Sequence, residues 1–233
     1  KHGKPYFIAW TTTPWTLASN VALCVGPKID YVAIETYNLY DGEPMTLVMA
    51  ESRISAYLNP EQEVKEGELG AFDKENKICP WRIVDRMKGA DLEGLHYMQL
   101  MPWVKPCEKI GDFSAKFVND YAEKHADKVF TSEDGRDRFV EMDSEAFRVI
   151  LGDYVTTEDG TGIVHIAPTF GADDAKVALD AKIPALYLIN KKGETRPMVD
   201  LQGKYYVEDE LDANFVQVCL NKEAYGKHAG DYV

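Results

Sequence analysis

The chain has no apolar run near the roughly 18 to 20 residues of a membrane-spanning helix. Lys1-His2-Gly3-Lys4 is followed by too little apolar sequence for a signal peptide. Cysteine is scarce: Cys24, Cys79, Cys107 and Cys219 are scattered, with no pair at metal-ligand spacing, which argues against a zinc site or a disulfide framework and for reduced, structural thiols. Positive charge is also in short supply. At a net charge of −13 the chain lacks the usual basis of nucleic-acid affinity, a basic surface that neutralises phosphates, and by itself is expected to hold polyanions poorly. There is no Gly-x-Gly-x-x-Gly after a strand, no P-loop and no Gly-x-Ser-x-Gly turn, which disfavours a doubly wound nucleotide-binding fold and a serine nucleophile. Catalysis, if present, rests on positioning and activating water. The expected setting is soluble and cytoplasmic, with no membrane partner.

What is present points to a packed core. Hydrophobic residues make up 45% of 233 positions, enough for one large domain or a domain plus an insertion. Strand-like runs occur at 6–10, 21–25, 31–36, 45–49, 82–84, 147–156 and 163–167, with Asp41-Gly42 as the turn of one hairpin and Glu158-Asp159-Gly160 as the turn of another. Helical spacing marks a short helix in 50–58 and a longer one over 208–222, where Leu211, Phe215, Val218 and Cys219 give the apolar face. Many short strands with few helices predict a mixed α/β fold with a β-barrel-like core and peripheral helices. We read 1–233 as a single domain with a charged insertion at about 104–145. Residues 119–145 hold nine Asp or Glu against four Lys or Arg, which predicts a solvated, peripheral location for Phe113, Phe117 and Tyr121 and their neighbours.

Two stretches carry chemistry. In Trp10-Thr11-Thr12-Thr13-Pro14-Trp15-Thr16-Leu17, Pro14 suits the first position of a helix with Thr13 as its N-cap, so three hydroxyls gather at a strand-to-helix junction, where free backbone N–H groups can hold a phosphate or an oxyanion. In Gly160-Thr161-Gly162-Ile163-Val164-His165-Ile166-Ala167-Pro168-Thr169-Phe170-Gly171-Ala172-Asp173-Asp174, a buried strand places His165 near its end. Pro168 ends the strand, and Ala175, Ala178 and Leu179 space an amphipathic helix whose first turn carries Asp173 and Asp174. A strand-end histidine and a helix-start aspartate nine residues apart can converge on one pocket. From these residues alone a plainer reading stays open: the threonines extend a strand and cap a short helix, His165 is a core histidine, and the aspartates complement a helix dipole.

Together with Asn20, these stretches resemble the editing domain inserted into isoleucyl-tRNA synthetase, and the resemblance spans nearly the whole chain. Thr13 and Trp15 stand where valyl and leucyl relatives are expected to show arginine and an acidic residue, which points to the isoleucyl branch. Ala18 replaces a frequent proline, and Thr169-Phe170 stands where some members have Gly-His. The family's activation signatures, His-x-Gly-His and Lys-Met-Ser-Lys-Ser, are absent, so an editing fragment that cannot activate an amino acid is expected, although the full-length enzyme binds ATP.

The resemblance implies the class I synthetase editing fold and hydrolysis of the ester in misacylated valyl-tRNA(Ile) after transfer, with editing before transfer left open and isoleucine excluded by size. One methylene is worth only about 1–3 kcal/mol in an apolar pocket, a magnitude for which this family is itself the standing example, so a second, hydrolytic sieve is needed. The implied catalytic residues are Thr12, Thr13, His165 and Asp174. The implied substrate-binding residues are Thr11, Thr12, Thr13, Trp15, Asn20, His165 and Asp174: Asp174 holds the α-ammonium group, His165 contacts the substrate and excludes isoleucine, and the others form the opposite wall. No metal or cofactor is implied for editing, and the water could be activated by the substrate's own ribose hydroxyl. The implied partners are the aminoacylated 3′ end of tRNA(Ile), its valine moiety and the remainder of the synthetase. Two alternatives are a non-catalytic module that binds the tRNA acceptor end and an editing domain of the valyl or leucyl type.

Overall fold

The computed structural model describes residues 3–233; Lys1 and His2, part of the opening judged too polar for a signal peptide, lie outside the described residues. In chain order the strands are β1 (Lys4–Phe7), β2 (Ala22–Val25), β3 (Asp30–Tyr37), β4 (Pro44–Ala50), β5 (Arg82–Lys88), β6 (Cys107–Ile110), β7 (Val129–Thr131), β8 (Arg138–Glu141), β9 (Arg148–Leu151), β10 (Ile163–Ile166), β11 (Leu188–Ile189) and β12 (Thr195–Arg196). The helices are α1 (Ile54–Tyr57), α2 (Lys116–Lys124), α3 (Ala172–Asp180), α4 (Ala213–Cys219) and α5 (Lys222–Gly226), interspersed with short 3-10 turns. No helix among the described residues is long and apolar enough to cross a membrane. Cys24 and Cys107 lie buried, as does Cys219, and Cys79 is half-buried.

The chain divides into two compact units. The first comprises Lys1–Thr11, Leu23–Leu95 and Val149–Val164. Its four-stranded sheet has the order β1-β4-β3-β5, with β1 parallel to β4 and the other pairs antiparallel. The hairpin read from Asp41-Gly42 is β3-β4, paired from Tyr31↔Ala50 to Tyr37↔Pro44, and Gly42 takes the positive φ of 75° that its turn requires. Val32, Ile34, Met49, Ile54 and Trp81 form a buried cluster, so strand alternation and α1 supply one core between them.

A second anchor in this unit is the Tyr31 side chain, fully buried, whose hydroxyl accepts from Gly26 N–H at 3.0 Å and donates to Gly162 C=O at 2.6 Å. Burial pushes its phenol up to about 12. Gly162 has φ of 74°, and a Cβ there would meet the Ala50 Cβ at 2.6 Å, so glycine is required twice over. Arg53 donates to Gly160 C=O (Nε, 2.8 Å) and to Glu158 C=O (Nη1, 3.1 Å), and Thr161 Oγ1 donates to Ile8 C=O. The loop before β10 is thereby tied down at three of its own backbone carbonyls and at the Thr161 hydroxyl.

The second unit comprises Thr12–Ala22, His96–Arg148 and His165–Val233. Most of the segment expected as a charged insertion folds about its own small core. Val118, Tyr121 and Ala122 of α2 pack with Val140 and Met142, beside a sheet of order β6-β8-β7. Of the aromatic stripe, Tyr121 is buried, Phe117 half-buried and Phe113 wholly exposed. The turn 190–193 closes a β11-β12 hairpin.

Three expectations need correction. Among the described residues there is no barrel-like core: the strands form four separate sheets and none of them closes, most strands being only two to four residues long. The expected hairpin around Glu158-Asp159-Gly160 is not one either. The sheet order is β10-β2-β9, so the two strands flank β2 instead of pairing with each other. The single helix expected over 208–222 is broken. Asp212 caps α4 by accepting Phe215 N–H, Asn221 caps α5 by accepting Ala224 N–H, and Val218 is left partly exposed.

Tyr31→Phe is expected to cost about 1–3 kcal/mol, because it strands a buried N–H and a buried C=O while keeping the ring. Urea unfolding of the two proteins measures the difference. An unchanged midpoint would show that the hydroxyl bridge contributes nothing.

Candidate functional site

The threonine stretch opens in the way its proline dictates. Pro14 occupies the first turn of a 3-10 helix, Pro14–Ser19, and Thr13 sits at its N-cap with a backbone that is neither helical nor fully extended (φ −124°, ψ 70°). The Thr13 side chain makes no cap hydrogen bond; the turn is closed by Thr16, whose N–H and hydroxyl both reach Thr13 C=O, at 3.0 and 2.8 Å. The expected pool of free N–H groups is thus reduced at Thr16. Asn20 ends the helix by donating its N–H to Leu17 C=O.

Strand pairing brings this helix to the histidine. Val21 N–H donates to Ile166 C=O at 3.0 Å and Phe147 N–H to Val21 C=O at 2.7 Å, which lays the residues after the helix beside the end of β10. His165 Nε2 then lies 3.1 Å from Thr16 Oγ1, across 149 positions of sequence. His165 is half-buried, and burial lowers its pKa below the ordinary imidazole value, an effect that the Asp174 carboxylate opposes.

Asp174 stands at the third position of α3, and its Oδ2 accepts Ala167 N–H at 2.8 Å, tying the helix start to the end of the strand. Two acidic residues in the first turn suit the positive end of the helix, as the plainer reading held. Leu179, expected on the buried face of this helix, is exposed, and Ala178 is the buried residue. At the far end, Arg148 donates to Ala181 C=O at 2.7 Å, a cation at the helix C-terminus.

Six of the seven expected site residues belong to the second unit: Thr12, Thr13, Trp15, Asn20, His165 and Asp174. Thr11 closes the N-terminal segment of the first. Thr12 is exposed, Thr13 half-buried, and Trp15 is 46% exposed. Asn20 is only 5% exposed; its Nδ2 donates to Ala22 C=O at 2.9 Å and its Oδ1 accepts from the Tyr97 hydroxyl at 2.6 Å, which occupies two of the amide's four bonding positions.

Among the described residues, three buried side-chain polar atoms have no protein partner: Ser19 Oγ, His165 Nδ1 and Thr169 Oγ1. Buried polar atoms are paired in the great majority of cases, so orphans call for a reason; His165 and Thr169 fall within the second stretch singled out from the sequence, and Ser19 lies two residues past the end of the first. Sequence reasoning passed over Thr16, Ser19 and Tyr97. The i, i+3 spacing of Thr13 and Thr16 was a readable signal for the first, whereas nothing in the sequence pairs Tyr97 with Asn20. No group of three or more His, Cys, Asp or Glu side chains among the described residues is placed to hold a metal ion.

No family model matches the sequence. Among curated proteins, an isoleucine–tRNA ligase of Bacteroides thetaiotaomicron is 53% identical over 231 residues, covering 99% of this chain and 18% of that protein. One of Porphyromonas gingivalis is 44% identical over 232 residues, covering 100% of this chain and 17% of that protein. A cytoplasmic isoleucine–tRNA ligase of Arabidopsis thaliana is 34% identical over 200 residues, 81% of this chain and 13% of the relative. Among solved structures, the editing domain of a P. knowlesi cytosolic leucyl-tRNA synthetase aligns with a TM-score of 0.44 at 14% identity, over 78% of this chain and 52% of that one. The chain spans less than a fifth of the length of the ligases it matches. With more than half of its residues identical to one member across 99% of its own length, the chain belongs to the isoleucine–tRNA ligase family, as a segment whose two motifs resemble the inserted editing domain.

Proposed function

We propose that this segment is the hydrolytic editing domain of its synthetase and that it cleaves the ester of misacylated valyl-tRNA(Ile) while sparing isoleucyl-tRNA(Ile). The observation that carries the reading is the orphaned, buried Nδ1 of His165, in a ring fixed by Thr16 and under the influence of the Asp174 carboxylate. A binding module with no chemistry to perform has no need to leave such an acceptor unpaired.

In this reading Asp174 uses one oxygen for Ala167 N–H and offers the other to the α-ammonium group, a charge-assisted bond that distinguishes an aminoacyl ester from bare RNA. His165, kept neutral by burial, adds no positive charge to repel that ammonium. Its bulk limits the length of the side chain that fits. The hydroxyls of Thr12 and Thr13, preceded in the chain by Thr11, serve the ester and the terminal adenosine. Trp15 supplies an exposed ring for stacking, and Asn20 backs the wall from its buried position. Water adds to the ester carbonyl carbon, and the tetrahedral intermediate expels the ribose oxygen, which takes a proton to leave valine and free tRNA. The rest of the synthetase holds the tRNA body, in a cytoplasmic setting, since a chain of charge −13 has little attraction for phosphates of its own.

Asp174→Asn keeps an acceptor for Ala167 N–H and loses only the charge. Valine release should therefore fall about 10- to 100-fold with little change in melting temperature, while Asp174→Ala should lose activity and also about 1 kcal/mol of stability. Assaying deacylation and melting on the same samples separates the roles; full activity in the Asn variant would reduce Asp174 to a helix tether.

His165→Ala should allow hydrolysis of isoleucyl-tRNA(Ile), read as isoleucine release beside valine release. A variant that still spares isoleucine would place the sieve elsewhere.

The pH dependence has a definite sign. Because the folded pKa of His165 lies below its unfolded value of about 6.5, the neutral ring persists somewhat below that pH, and kcat/KM should fall only on further acidification as the ring charges and repels the ammonium. Protonation in the folded state is the costlier one, so the ring's contribution to stability is also lost as pH falls. An NMR titration midpoint for His165 at or above the ordinary value would refute this.

A further inference from the structure

We propose that Thr16 is the positioning residue of the hydrolytic site: its hydroxyl holds the His165 imidazole in the tautomer protonated on Nε2 and so presents Nδ1 as a bare acceptor for a hydrogen-bond donor of the substrate or of its attacking water. This deepens the reading of the segment as an aminoacyl-ester hydrolase and rests on it.

The argument is a count of protons. Thr16 Oγ1 lies 2.8 Å from Thr13 C=O, which can only accept, so the one hydroxyl proton points there. What the oxygen has left for His165 Nε2, 3.1 Å away, is a lone pair, and Nε2 must therefore donate. A neutral imidazole has one such proton, which leaves Nδ1 with its lone pair. Nδ1 is buried and has no protein partner. The Thr13 hydroxyl oxygen, 3.4 Å from Thr16 Oγ1, can add a second donor to the same atom without disturbing this order. Thr16 is itself buried, 8% exposed, on a 3-10 turn pinned by Pro14, so its hydroxyl can hardly swing to another acceptor. The tautomer is thus set by a residue that need not touch the substrate, and the free side of the ring is an acceptor suited to an N–H of the α-ammonium group or to an O–H of water or ribose.

The test compares Thr16→Val, which keeps the shape and removes the hydroxyl, with Thr16→Ser, which restores it, and uses Thr16→Ala should the valine variant fail to fold. In protein labelled with nitrogen-15 at histidine, wild type should show His165 protonated on Nε2 with slow proton exchange. Thr16→Val should lose that protection, and Thr16→Ser should regain it. Valyl-tRNA(Ile) deacylation should fall about tenfold in the valine variant, the worth of one ordered hydrogen bond, and recover with serine. A wild-type ring protonated on Nδ1 overturns the proposal. So does a valine variant in which only the spectrum or only the rate changes, or in which neither does. If the wild-type chain releases no amino acid from the ester, the reading of function fails, and the ring spectra still decide whether Thr16 sets the tautomer.

Discussion

The contact on which the site depends is the hydrogen bond between Thr16 Oγ1 and His165 Nε2. It joins two short stretches 149 positions apart, and both ends of it are held by backbone. On one side the 3-10 helix is preset by Pro14 and closed by Thr16 on Thr13 C=O; on the other, the histidine rides on a strand whose end is paired to Val21. Ordering two side chains across so long a separation costs conformational entropy, and here that cost is met by the strand pairing and not by the bond itself. The bond can then act as a selector of ring orientation and protonation, which a flexible pair could not do.

Asp174 links two elements of the candidate site through one carboxylate. Its tether to Ala167 N–H holds the first turn of α3 against the end of β10, and its charge sits where it opposes the desolvation of His165. Burial favours the neutral form of the imidazole, and the carboxylate works against that effect. In the reading proposed above, a strongly acidic segment serves an aminoacyl end because recognition of that end asks for a carboxylate and hydroxyls.

In the first unit the organising element is a buried tyrosine. Tyr31 bridges Gly26 and Gly162, Arg53 takes Gly160 and Glu158, and Thr161 takes Ile8, so the loop preceding the histidine strand is fixed by side chains where no ladder is available. Gly162 has no substitute there, since its backbone is left-handed and Ala50 fills the space a side chain would need. A loop held this way gives the strand that follows a definite starting point, the sort of rigid support that a precise site requires.

Much of the candidate site's local geometry was legible in the sequence because its signals are local. Pro14 after three threonines, an apolar run ending in His165-Ile166-Ala167-Pro168, and paired aspartates at a helix start each state their own geometry through φ restriction, strand period and helix dipole. What local signals could not decide was adjacency. The strands before and after Glu158-Asp159-Gly160 look like a hairpin by period and turn chemistry, and β2 lies between them because pairing partners are chosen by the whole set of buried faces. The long helix expected over 208–222 broke for a related reason: Asp212 and Asn221 found backbone N–H groups to cap, and a cap outweighs the continuation of an apolar stripe. By itself the sequence determined the residue types of the site, the family to which the chain belongs and the mixed α/β character of the fold. Only the tertiary structure decided which hydroxyl faces His165, that the Asn20 amide oxygen is engaged by Tyr97, and that the sheets stay open, because each of these depends on which distant groups come together in a buried place.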